Sequence, residues 1–112
     1  MKIYHNPRCK NSRAGLEYLK NKTSDFEIKK YLSDGITKEE LDSLLQKMDK
    51  NPEEMIRTQE DYYKKNLKGK KLSRNEWIEE MVKNPKLIKR PVIEKGDKAV
   101  LAQPPEEIDK LL

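Results

Sequence analysis

Thiol, imidazole, indole and phenyl groups are scarce in this chain, which has one cysteine, one histidine, one tryptophan and one phenylalanine in 112 residues. A single cysteine excludes an intramolecular disulfide, so any thiol redox chemistry must take its second thiol from another molecule. One histidine and one cysteine fall short of the roughly four ligands of a structural zinc site, and no metal is expected. No apolar run approaches the roughly 20 residues of a membrane span. No apolar leader opens the sequence either, and the expectation is a cytoplasmic protein in a reducing compartment. Apolar residues are few, at 34% against 40% charged, which predicts one lean core under a densely charged surface. The 25 basic residues exceed the 20 acidic ones by five. The two signs are interleaved, however, which reads as a solvated surface rather than a nucleic-acid face.

What is present is well punctuated. Met1–His5 reads as a short buried strand, Ser12 to about Asn21 as a helix, and Phe26–Tyr31 as a returning strand with partial alternation. Such a β-α-β opening implies a parallel pair of strands. Thr37-Lys38-Glu39-Glu40 is a capping box ahead of Leu41, Leu44, Leu45 and Met48. Asn51-Pro52-Glu53-Glu54 and Ser73-Arg74-Asn75-Glu76 repeat that logic. The last of these precedes an apolar face of Trp77, Ile78, Met81 and Val82, stopped by Asn84-Pro85. Lys64–Lys71 reads as a basic loop or frayed helix end. Val92–Lys95 and Lys98–Leu101 flank Gly96-Asp97, a two-residue hairpin signal. Pro104-Pro105-Glu106-Glu107 opens a final helix carrying Ile108, Leu111 and Leu112. The expected fold is α/β: a single domain over 1–112, with a small mixed sheet, flanking helices and a helical insertion over about 34–86.

The one cysteine occupies the most informative position. Cys9 lies in His5-Asn6-Pro7-Arg8-Cys9-Lys10-Asn11-Ser12-Arg13, between the first strand and the first helix. There it meets the positive end of the helix and its unpaired backbone N–H groups. Arg8, Lys10 and Arg13 add nearby positive charge. Both effects favour the thiolate, the nucleophilic form. The alternative, a buried structural cysteine, fits poorly with charged neighbours and turn residues. A phosphatase-type loop would need an arginine six positions on, where Gly15 stands; a dithiol site would need a second cysteine where Ser12 stands. His5 reads as a loop-packing residue, with a role as base toward Cys9 as the other possibility. Arg57 and Arg90 read either as ion-pairing arginines or as a grip for an oxyanion. Proline 91 follows Arg90 directly, and X-Pro is where cis peptide bonds occur.

The Cys9 loop, Ile56-Arg57-Thr58, Leu87-Ile88-Lys89-Arg90-Pro91-Val92 and Gln103-Pro104-Pro105-Glu106, taken in this order over essentially the full length, resemble the glutaredoxin-coupled arsenate reductase family. The resemblance implies a thioredoxin-like mixed four-stranded sheet flanked by helices. It implies Cys9 as the nucleophile toward arsenate and Arg57 and Arg90 as ligands of the oxyanion. Pro91 would be the fold's cis proline, with Asn6, Ser12 and Arg13 supporting the site. Glutathione would be co-substrate, glutaredoxin the partner that regenerates the thiol, and no bound cofactor is implied. A monomer is expected.

There is one departure. Gln103 stands where these reductases usually carry a third arginine. Losing one charge-assisted contact of about 1.5–3 kcal/mol would weaken oxyanion stabilisation by one to two orders of magnitude. Arg13 or Lys10 would have to compensate, or the substrate is not arsenate. Two other readings therefore stay open. The first is an Spx-type regulator that binds RNA polymerase, with the lysines of 64–71 as contact surface. The second is a glutathione-dependent reductase of a sulfur substrate.

Overall fold

Ile3, flanked by Lys2 and Tyr4, centres a three-residue strand, β1 (Lys2–Tyr4), against which the rest of the sheet is laid. In the computed structural model, which describes residues 1–112, the chain divides into two compact units, 1–34 with 90–112 and 35–89. The sequence pattern suggests a helical insertion over about 34–86, and the second unit spans 35–89.

In the first unit, β1 leads through the Cys9 loop into helix α1 (Lys10–Lys22) and strand β2 (Glu27–Lys29), which pairs parallel to β1. The strand expected over Phe26–Tyr31 is shorter than its pattern suggests. The Lys30 carbonyl accepts both Ser33 N–H and Asp34 N–H, which turns Tyr31 into a one-turn helix, α2 (Tyr31–Asp34). On the other side of β1 lies the hairpin, β3 (Val92–Lys95) and β4 (Lys98–Leu101), joined through Gly96-Asp97 with Gly96 at φ +59. The order is β2-β1-β3-β4, with β3 antiparallel to both β1 and β4. This is the mixed four-stranded sheet expected from the sequence.

Ile3 and Ile93 are register partners with no exposed surface. They form one core with Leu19 of α1, Ala102, and Ile108 and Leu111 of a 3-10 helix, Pro105–Leu111. Each fully buried aliphatic side chain here contributes about 1.5–3 kcal/mol. Leu112, expected on the same face, is instead 55% exposed. Register also fixes where the loops leave the sheet. Tyr4 pairs with Val92, and Val92 with Leu101, so the chain leaves β1, enters β3 and leaves β4 at one end.

In the second unit, two helices carry complete capping boxes: α3 (Lys38–Met48) from Thr37 and Glu40, and α4 (Arg74–Lys83) from Ser73 and Glu76. Their buried faces are Leu41, Leu44 and Leu45, and Trp77, Ile78 and Met81, with Met48 and Val82 half-buried. Asn51 also makes a capping box, yet only one 3-10 turn follows, Pro52–Met55. Ile56 then leaves it to bridge Ile88, supported by Arg57 N–H to Leu87 O (2.7 Å) and Lys89 N–H to Met55 O (2.8 Å). The basic stretch is part helix and part loop. Tyr63–Leu67 forms a wide π-type turn that buries Leu67, and irregular chain follows Gly69. No helix in the structure is long and apolar enough to cross a membrane.

Candidate active site

His5 N–H donates to Lys29 O at 2.9 Å, the last rung of the parallel pair, after which the chain leaves the sheet. Asn6 builds the turn: its side-chain oxygen accepts Arg8 N–H at 3.0 Å and its carbonyl accepts Cys9 N–H at 3.0 Å. Cys9 is the residue that caps α1, with extended backbone (φ −94, ψ 126). Its carbonyl accepts the first intrahelical bond, from Arg13 N–H at 2.9 Å. The helix therefore starts two residues before the predicted Ser12. Unlike α3 and α4, its first turn holds no acidic residue. The start of α1 is thus left without a side-chain anion, and the cysteine sulfur stands in that place.

The Cys9 thiol is half-buried and held below its ordinary pKa. Burial pushes it up, but hydrogen bonding from the Arg90 guanidinium, the Ser12 N–H, the Arg90 charge and the Asn11 N–H together outweigh it. The sulfur makes no capping hydrogen bond of ordinary geometry, so the two backbone N–H groups act on it as oriented dipoles. Arg90 is only 7% exposed, an unusual burial for a cation and one that strengthens its field at the sulfur.

Arg90 is joined to Pro91 by a cis peptide bond, as the family resemblance implied; Gln103-Pro104 is cis as well. Pro91 O accepts Ala102 N–H at 3.0 Å, and Arg90 O accepts the Gln103 side-chain amide at 2.6 Å. Gly15 of α1 packs on Pro91 so closely that a Cβ there would stand 2.5 Å from the ring.

The same loop holds a buried polar trio, His5, Asn6 and Ser12. The Ser12 hydroxyl accepts Asn6 N–H at 2.9 Å and shares a 2.7 Å hydrogen bond with His5 Nδ1. Burial holds the His5 pKa below its ordinary value, with Lys30, Lys20 and Arg13 adding to the shift against a smaller opposing effect of Ser12. Through Nδ1 on the Ser12 hydroxyl, His5 ties the end of β1 to the start of α1.

The first unit therefore assembles Cys9, Asn6, Ser12, Arg90 and Pro91 in one place. Arg13 is exposed, with Nη1 donating to Pro7 O at 3.4 Å. Arg57 belongs to the second unit, where its Nε pairs with Glu60 at 3.2 Å. Sequence reasoning missed Gly15 as a packing position and Gln103 as a backbone ligand. No local pattern marks either, since each partner lies far along the chain.

A four-stranded mixed sheet with a cysteine at the β1–α1 turn and a cis proline before β3 defines a thioredoxin-like thiol protein. The chain belongs to the ArsC family, whose family model matches residues 4–111. It is 37% identical to an arsenate reductase of Haemophilus influenzae, over 98% of this chain and 97% of that protein. It is 40% identical to the Escherichia coli protein YfgD, over 96% and 92% of the two chains. The solved structure of an arsenate reductase from Vibrio cholerae superposes with a TM-score of 0.92 at 36% identity, covering 100% and 98% of the two chains.

Proposed function

We propose that this protein reduces arsenate with glutathione and glutaredoxin as the source of electrons. The observation that carries the reading is the Arg90–Cys9 pair, a buried cation at a half-exposed thiol whose pKa it depresses. The same cation that favours the thiolate also suits an incoming oxyanion. In the proposed sequence, the Cys9 thiolate bonds to pentavalent arsenic and one arsenic oxygen leaves as water. A glutathione thiolate then attacks the Cys9 sulfur. The S–As bond breaks with its electron pair passing to arsenic, arsenite leaves, and Cys9 is held as a glutathione disulfide. A second thiol, supplied by glutaredoxin, takes the glutathione and returns the Cys9 thiol. Arg57 and Arg90 serve as oxyanion ligands, and Arg13 and Lys10 supply outer positive charge.

The chain's single thiol supports an external reductant, because nothing within it can close a disulfide. A redox-sensing regulator of the Cys-x-x-Cys kind is disfavoured by Ser12, whose hydroxyl is buried and committed to His5 and Asn6. The test is arsenate-dependent NADPH oxidation with glutathione, glutaredoxin and glutathione reductase, run beside Cys9→Ser. Turnover that vanishes in the variant supports the proposal. No turnover in the parent, with a thiol that still alkylates quickly at neutral pH, sinks arsenate as substrate and moves attention to sulfur substrates. In an active enzyme, Arg57→Ala raises KM for arsenate while Cys9 alkylation is unchanged.

A further inference from the structure

The amide of Gln103 is part-buried and donates to the main-chain oxygen of Arg90 at 2.6 Å, across 13 residues of chain. That carbonyl belongs to the peptide joining Arg90 to Pro91. Gln103 is itself fixed, since its own N–H donates to Leu101 O at 2.9 Å. On the far side of the proline, Pro91 O is held by Ala102 N–H at 3.0 Å. Two successive residues after β4 thus grip two successive carbonyls ahead of β3. A guanidinium at the end of a flexible stem is placed no better than the Cα from which it starts, and small misplacements are costly at a reacting centre.

We infer that Gln103 is a positioning residue of the thiol site, whose amide holds the Arg90 carbonyl so that the Arg90 guanidinium is presented to Cys9. This task needs a donor and no charge, which fits glutamine. The inference rests on Cys9 as the reactive group of the proposed function, though not on arsenate as substrate. It carries a specific signature. Because Gln103 acts through Arg90, removing the amide must matter only while the guanidinium is present.

The experiment is the rate of Cys9 alkylation by iodoacetamide as a function of pH, in the parent, Gln103→Ala, Arg90→Ala and the double variant. Gln103→Met is added because it keeps the side-chain bulk while removing the donor. The expected result is a midpoint shifted upward in both Gln103 variants, with alkylation at about pH 7 slowed roughly three- to tenfold, given tenfold per pKa unit. Arg90→Ala slows it further, and the double variant is no slower than Arg90→Ala alone. The inference is overturned if the Gln103 variants alkylate along the parental profile, even with a lowered melting temperature, since that is a structural role only. It is equally overturned if the two substitutions slow alkylation multiplicatively. Alkylation needs no turnover, so an arsenate assay that fails, or a Cys9→Ser variant that stays active, leaves this cycle readable.

Discussion

Gly15 and Pro91, 76 residues apart in sequence, are in such close contact that a Cβ at position 15 would lie 2.5 Å from Pro91 Cγ and 3.6 Å from Ala102 Cβ. In an exposed helix, Gly→Ala gains roughly 1 kcal/mol of helix propensity. Here the ring belongs to a buried residue held by main-chain bonds, so it cannot step aside, and overpacking of this kind costs about 1–3 kcal/mol. Gly15→Ala is therefore expected to lower the denaturant midpoint and, by displacing the segment that carries Arg90, to slow Cys9 alkylation. A variant at least as stable as the parent would show that the contact relaxes freely.

Arg90→Ala should raise the Cys9 pKa, because it removes the largest influence opposing burial. Arg90→Lys should recover part of the effect, through charge without the planar fork. The sign for stability follows from proton binding. The thiol has a lower pKa folded than unfolded, so in the window between the two the unfolded chain binds more protons and stability rises with pH. The stability that the thiolate contributes is present above the ordinary thiol pKa and is lost as pH falls through the folded one. Denaturant midpoints of the parent and Cys9→Ser, compared across that range, should diverge as pH rises.

His5 predicts an acid sensitivity of the same sign at lower pH, since burial holds its folded pKa below the ordinary value of 6.5. Below that value the unfolded chain takes up a proton that the folded chain refuses, so stability falls with pH over the interval just below pH 6.5. His5→Gln keeps a group able to meet the Ser12 hydroxyl and removes the titration. Its pH–stability curve should be flatter over that interval; an equally steep curve would assign the acid lability elsewhere.

Ser12→Ala would leave the buried Asn6 N–H and His5 Nδ1 without their shared hydroxyl. Stranding a buried donor costs about 1–3 kcal/mol. The Ser12 N–H that lowers the Cys9 pKa belongs to the backbone and survives the change. The expected outcome is a clear loss of stability with a smaller shift in the alkylation profile than Arg90→Ala produces. The reverse ranking would place the hydroxyl, not the backbone, at the thiol.

Local chemistry was legible. The boxes at Thr37 and Ser73, the Gly96-Asp97 turn and the Cys9 loop each declare themselves within a few residues, because the partners that satisfy them are neighbours. Where tertiary contacts compete, the sequence pattern misleads. The Asn51 box looks like those of α3 and α4, but the bridge from Ile56 to Ile88 ends its helix after one turn. The sequence pattern starts α1 two residues late because cysteine is not a usual helix cap. The roles of Gln103 and Gly15 were invisible for a different reason. A main-chain carbonyl and a proline ring carry no side-chain signature that a distant partner could be matched to. In the sequence Gln103 reads as a missing charge, not as an added hydrogen bond.

The aligned pairs Tyr4–Val92 and Val92–Leu101 make the hairpin a ruler. The span from Val92 to Leu101 sets where Ala102 and Gln103 arrive, so this stretch should tolerate changes of residue far better than changes of length. At Gly96-Asp97, well away from the sulfur along the strands, one inserted residue would slip β4 by a step and turn its side chains to the opposite face. The exposed turn would look untouched, and the damage would appear at Arg90.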